Sequence, residues 1–155
     1  MRKILVSECL YGGRAVRYDG RSKAENHPVF LQWKKEGRLI PVCPEVFGGL
    51  PVPRPEAQRK DGRVINIEGR DVTDAYMRGA REALRLAREE NVLMCILKQC
   101  SPACGSAVIH DGTFSGRKIP GQGVAAELLR KEGFPVFAED EIEAAAGFLA
   151  EHDEP

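Results

Sequence analysis

The chain has 155 residues, of which 43% are hydrophobic and 30% charged, with 23 basic against 23 acidic side chains. That length buries a core without disulfide staples, and the balanced charge argues against charge-driven binding to nucleic acid or an anionic membrane. No apolar run approaches the roughly 20 residues of a membrane span, and the apolar run in MRKILVSECL is too short for a signal peptide, so a cytoplasmic protein is expected.

Apolar, β-prone runs alternate with helical patterns along the chain. KILVS (3–7) reads as a strand, HPVFLQWKKEG (27–37) as a short helix ending at Gly37, and RLIPVC (38–43) as a second strand interrupted by Pro41. A Gly- and Pro-rich irregular stretch follows, PEVFGGLPVPRPEAQRKDG, and RVINIEGRDVT (63–73) alternates as a small side hairpin does. The clearest helix spans roughly 74–90, with Tyr76, Ala80, Ala83, Leu84 and Ala87 on one face. Its other face carries Arg78, Arg81, Arg85 and Arg88, which read as a solvated stripe. NVLMCILK (91–98) is a buried-type strand, followed by the glycine-rich loop HDGTFSGRKIPGQG. A helix at 123–132, a strand at 135–139 and a last helix opened by Asp140 complete the chain. This order predicts a compact single α/β domain over 1–155, with a mostly parallel, Rossmann-like sheet, helices on both faces and a small side hairpin.

Five cysteines in a chain that needs no disulfides point to metal, catalysis or core filling. In open parallel sheets, ligands bind outside the carboxyl ends of the strands. Cys9 lies just past the first strand, Cys43 closes the second, and Cys100 and Cys104 follow the strand at 91–98. Four thiols therefore share one rim, while Cys95 lies inside a strand and reads as a small buried hydrophobe. Thiolates select zinc, copper(I) or an iron–sulfur cluster, and the paired spacing of common zinc sites is absent. Four cysteine ligands would close a cluster, whereas three would leave one iron open to act as a Lewis acid. Cys104 is the favoured ligand of its loop, because Gly105 permits close backbone approach.

Other residues share this rim. Glu45, two positions after Cys43, reads either as a general acid/base or as a solvated loop carboxylate. Ser101 reads either as a hydrogen-bond donor to substrate or as a Ser-Pro turn residue. Arg54 either enters the pocket or anchors its loop. Gly12 and Gly13, with Arg14, Arg17 and Asp19 near them, and GQGV (121–124) offer anion-binding nests, but neither stretch matches a nucleotide-binding motif. His27, His110 and His152 lack metal-ligand spacing and read as structural or solvated.

Four segments together, SECLYGGRAVRYDG, PVCPEVFGGLPVPR, LKQCSPACGSAVIHDGTFSG and GQGVAAELL, resemble the bacterial thiouracil desulfidase (TudS) family over roughly residues 2–138. The resemblance implies a [4Fe–4S] cluster held by Cys9, Cys43 and Cys104, with Glu45 as acid/base and Ser101 as a second catalytic polar group. It also implies non-redox desulfuration of 2-thiouracil or a related thiolated pyrimidine to uracil and sulfide, the substrate sulfur binding the open iron. The implied partner is a small thiolated pyrimidine, with no membrane and no reductant or nucleotide. Cys100 departs from the family pattern before the Ser-Pro pair, as does Ala103 between Pro102 and Cys104. Two alternatives stay open: a non-catalytic iron–sulfur or zinc-binding sensor or storage protein, and desulfuration of thiolated nucleosides or tRNA.

Overall fold

The computed structural model describes residues 1–12, 16–20 and 23–152. In chain order its elements are β1 (Ile4–Ser7), α1 (Glu8–Tyr11), α2 (Pro28–Lys35), β2 (Leu39–Val42), α3 (Pro44–Phe47), β3 (Ala57–Lys60), β4 (Arg63–Asn66) and α4 (Thr73–Glu89). Then come β5 (Met94–Leu97), β6 (Val108–His110), β7 (Lys118–Pro120), α5 (Val124–Lys131), β8 (Val136–Ala138), a 3₁₀ turn at Glu139–Glu141, and α6 (Ile142–His152).

The central sheet has the order β2-β1-β5-β8 and every pairing in it is parallel. Both of its faces are covered, which is why its strands are apolar apart from Ser7 at the end of β1. Successive side chains still alternate between the two faces. Ile4, Val6, Leu39, Met94 and Ile96 pack with Phe30 and Trp33 of α2 and Ile142, Ala145 and Leu149 of α6. Leu5, Val42, Cys95 and Leu97 pack with Tyr76, Ala80, Ala83, Leu84 and Ala87 of α4 and Ala125, Ala126 and Leu129 of α5. Cys95 is thus the core residue its position implies. Pro41 sits opposite Val6 on the edge strand β2, where a missing N–H is tolerated.

The hairpin expected at 63–73 is displaced toward the N-terminus. The antiparallel pair is β3–β4, with Lys60 opposite Arg63 across the two-residue turn Asp61-Gly62. Both turn residues have positive φ, 51° and 78°, as a type I′ turn requires. Residues beyond β4 return only as an isolated bridge between Ile65 and Asp71. A second hairpin, β6–β7, begins at Val108 and runs into the stretch that reads from sequence as a glycine-rich loop. The two hairpins are joined by Gln58, whose Oε1 accepts from the backbone N–H of Gly112 (3.0 Å) and Phe114 (3.2 Å).

The one-turn helices α1 and α3 are too short to show periodicity in the sequence. α3 lies directly on α4, because a Cβ on Gly79 would stand 1.7 Å from the Pro44 carbonyl oxygen. Gly79→Ala must therefore push α3 away, and we expect a loss of about 1–3 kcal/mol in urea unfolding. Gly147→Ala, at an exposed position of α6 with open space around the added methyl, should instead gain about 0.5–1 kcal/mol. Equal effects at the two positions would remove the close contact as the reason for Gly79.

Candidate active site

The chain adds β2 to one side of β1 and then β5 to the other. Sheet growth reverses at β1, and loops leaving the carboxyl ends of the flanking strands diverge to open a crevice. The crevice is a cavity of about 380 Å³ whose lining includes Cys9, Cys43, Glu45, Cys100, Ser101 and Cys104. The structure thus brings together every residue singled out from sequence as ligand or catalyst. Cys9 lies within α1, Cys43 is the N-cap of α3, and Cys104 lies in the loop after β5.

All five cysteines are free thiols. Burial pushes the Cys9 thiol up from about 9 to about 11, and the neighbouring Cys43 adds to the rise. Burial also raises Cys43, against the pull of the Val46 amide that hydrogen-bonds its sulfur. Cys104 is raised well above the ordinary range, first by burial and then by Cys9, Cys43 and Glu45; a hydrogen bond from Ser7 works the other way. The Cys43 charge opposes ionisation of Cys9, and both oppose that of Cys104, so a bound cation would favour the thiolates. Among the described residues, no group of three or more His, Cys, Asp or Glu closes on a point as a single metal ion needs. Three soft donors around a cavity, rather than around a point, suit a body larger than one ion.

Glu45 is held rigidly. Its Oε1 accepts from Tyr76 Oη at 2.5 Å and from Arg54 Nε at 3.0 Å. Burial and the Glu45 charge keep the Tyr76 phenol protonated, so it remains a donor. The buried Arg54 also donates to the carbonyls of Val16 (2.7 Å) and Pro51 (3.1 Å). Arg54 therefore both lines the cavity and anchors its loop. Oε2 of Glu45 has no protein donor among the described residues.

The Cys104 loop is fixed by its own backbone. Ser101 Oγ accepts from the amides of Ala103 (3.1 Å) and Cys104 (3.0 Å), the turn role its sequence context suggests. Its hydroxyl proton stays available at the cavity. The first amides of α5 donate to the same loop, Val124 to Pro102 O and Ala125 to Ala103 O, both at 2.8 Å. The GQGV segment is therefore no anion nest, since those helix-terminal donors are already engaged. Gly13 and Arg14 of the other nest lie outside the described residues. Cys100 has φ of 67°, in the left-handed region that non-glycine residues seldom occupy, and bridges to Ile109.

The profile of the 2-thiouracil desulfurase family matches residues 4–141. The chain belongs to the 2-thiouracil desulfurase family. A curated relative, the uncharacterized protein YbbK of Bacillus subtilis (strain 168), is 40% identical over 149 residues, covering 90% of this chain and 97% of the relative. A solved structure of the [4Fe-4S]-dependent thiouracil desulfidase TudS superposes with a TM-score of 0.94 at 43% identity, covering 97% of this chain and 99% of its own.

Three residues of this family member's cavity region escape a reading of the sequence. Ser7 ends β1; it accepts from Lys98 N at 2.9 Å and donates to the Cys104 sulfur, tying two strand ends to one thiol. The available signal is a polar residue closing an apolar strand two positions before Cys9. Tyr76 reads as core, which its burial supports, but its hydroxyl serves Glu45. His110 reads as structural or solvated, yet it lines the cavity. The other histidines fit that reading: His27 Nδ1 caps α2 by accepting from Val29 N, and His152 stacks on Phe148. On the arginine stripe, Arg78 donates to Gly48 O, while Arg85 and Arg88 pair with glutamates. No helix among the described residues is long and apolar enough to cross a membrane.

The raised thiols fix a sign for stability. Unfolded cysteines lose their protons near pH 9, whereas folded Cys9 keeps its proton to about 11, so in that interval the native state binds more protons. Stability of the metal-free protein should fall as pH rises from 9 to 11. Urea midpoints measured across that interval should show the decline, with a shallower slope in Cys9→Ala. An unchanged slope in that variant would contradict the buried-thiol assignment.

Proposed function

We propose that this chain, as one domain over residues 1–155, is a [4Fe–4S]-dependent desulfidase. It replaces the thiocarbonyl sulfur of 2-thiouracil or a related thiolated pyrimidine with oxygen from water, releasing uracil and sulfide. The observation that carries this reading is the convergence of Cys9, Cys43 and Cys104 on one cavity beside a carboxylate pinned at one oxygen. Family membership and the close likeness to a thiouracil desulfidase structure support it.

Cys9, Cys43 and Cys104 would hold the cluster, the soft-donor set that such a group takes. When bound, the cluster supplies a Lewis-acidic iron for the thiocarbonyl sulfur. The chain's own residues handle the water. Glu45, fixed through Oε1 by Tyr76 and Arg54, takes a proton from water at Oε2. The water oxygen then bonds to the thiocarbonyl carbon, and the carbon–sulfur bond breaks. Glu45 returns that proton to the departing sulfur, then takes the second proton from the added hydroxyl as the carbonyl forms and hydrosulfide leaves, and releases it to solvent. Ser101, whose Oγ is held by two loop amides, directs its hydroxyl proton to the substrate or the water. Val42, Pro44 and Pro102 in the cavity lining limit competing water.

Anaerobic reconstitution tests the assignment. The wild type should take up iron and sulfide and release sulfide from 2-thiouracil. Glu45→Gln should keep the iron and lower turnover by about 100-fold or more. Alanine at Cys9, Cys43 or Cys104 should abolish iron uptake, whereas Cys100→Ser should keep both iron and turnover. A colourless wild type after reconstitution, or iron loss in Cys100→Ser, would overturn the three-cysteine cluster.

A further inference from the structure

The lining of the cavity also includes the β6–β7 hairpin, through His110 and its cross-strand partner Lys118. The hairpin is firmly mounted. Ile109 is buried, and the adjacent Gly112 N–H is held by Gln58 of β3. The His110 ring is placed by this framework, yet it makes no hydrogen bond with the described residues. Nδ1 is buried without a partner. Nε2 also has no partner among the described residues but is not buried, and it is the open nitrogen of a ring that lines the cavity.

Those facts fix the tautomer. The neutral imidazole carries one proton, and the other nitrogen is an acceptor. A buried N–H with no acceptor is among the rarest defects in folded proteins, whereas an unused acceptor is tolerated better. The proton therefore belongs on Nε2, which makes the open nitrogen a donor. A half-buried ring with an unused donor at a cavity wall has the form of a ligand contact waiting for its acceptor.

We propose that His110 is a substrate-binding residue whose Nε2–H donates to the exocyclic carbonyl oxygen of the pyrimidine. This rests on the desulfuration reading above and deepens it, because it names what recognises the edge of the ring away from the sulfur. The same bond withdraws electron density from the ring as water adds to the thiocarbonyl carbon, so it strengthens as negative charge develops. Glu45 and Ser101 act on the water, the thiols face the sulfur, and His110 sets the rotation of the ring between them.

The test uses reconstituted holoenzyme and side chains that place a donor at one ring-nitrogen position or the other. A glutamine amide nitrogen overlies histidine Nε2, and an asparagine amide nitrogen overlies Nδ1. His110→Phe should weaken uracil binding, measured by calorimetry, by about tenfold, with a similar rise in KM for 2-thiouracil. Iron content should be unchanged. His110→Gln should stay within about threefold of the wild type, and His110→Asn should behave like the Phe variant. Wild-type uracil affinity and KM in His110→Phe would overturn the proposal, as would equal rescue by Gln and Asn. A wild-type holoenzyme that binds uracil but releases no sulfide from 2-thiouracil would overturn the desulfuration reading while leaving the His110 contact intact. One that does neither would overturn both.

Discussion

Because β1 pairs in parallel with β2 on one side and β5 on the other, the segments leaving these three strands must part company at their carboxyl ends. No other place in the sheet separates neighbouring loops in this way. Cys9, Cys43 and Cys104 are far apart in sequence, yet each follows one of these strands and each reaches the same cavity. The sheet itself is held by apolar side chains that alternate between two covered faces. Burial of the sheet therefore fixes where the thiols meet, without any disulfide to gather them.

The polar groups around the cavity are arranged so that few are left uncompensated. Glu45 and Arg54 neutralise each other at 3.0 Å, and Tyr76 adds a donor to the same carboxylate oxygen. Breaking one member of such a buried set leaves the others unpaired, which is where most of the loss arises. The thiols differ, since burial holds them in the protonated form and nothing in the protein fully offsets it. The cavity is thus electrostatically incomplete on its sulfur side and complete on its carboxylate side.

Much of this was legible in the sequence. The alternation of apolar runs with helical patterns, the clearest at roughly 74–90, pointed to the parallel sheet and the two covered faces. The rim rule then placed the thiols together. The hairpins were harder, because their strands have only three or four residues and pair by turn geometry rather than by hydrophobic pattern. Asp61-Gly62, the turn of the first hairpin, closes the stretch that reads as irregular, so the strand before it was missed. Ser7, Tyr76 and His110 were not legible as site residues, for their roles depend on which way one atom points. A tyrosine on the buried face of a helix looks the same whether its hydroxyl meets a carboxylate or water.

The two hairpins are fastened to each other by Gln58, and Arg59 of β3 reaches the Gln122 carbonyl just before α5. Neither hairpin joins the ladder of the central sheet. The hairpin part of the cavity lining thus lies outside the parallel ladder, and it is tied to the Cys104 loop by the Cys100 N–H, which donates to Val108 O at 3.0 Å. Such a division is modular: the hairpin wall can be recast to fit a bulkier or differently decorated ring while the sheet that gathers the cysteines stays as it is. A lineage built on this plan can diversify what it admits without reinventing what it holds.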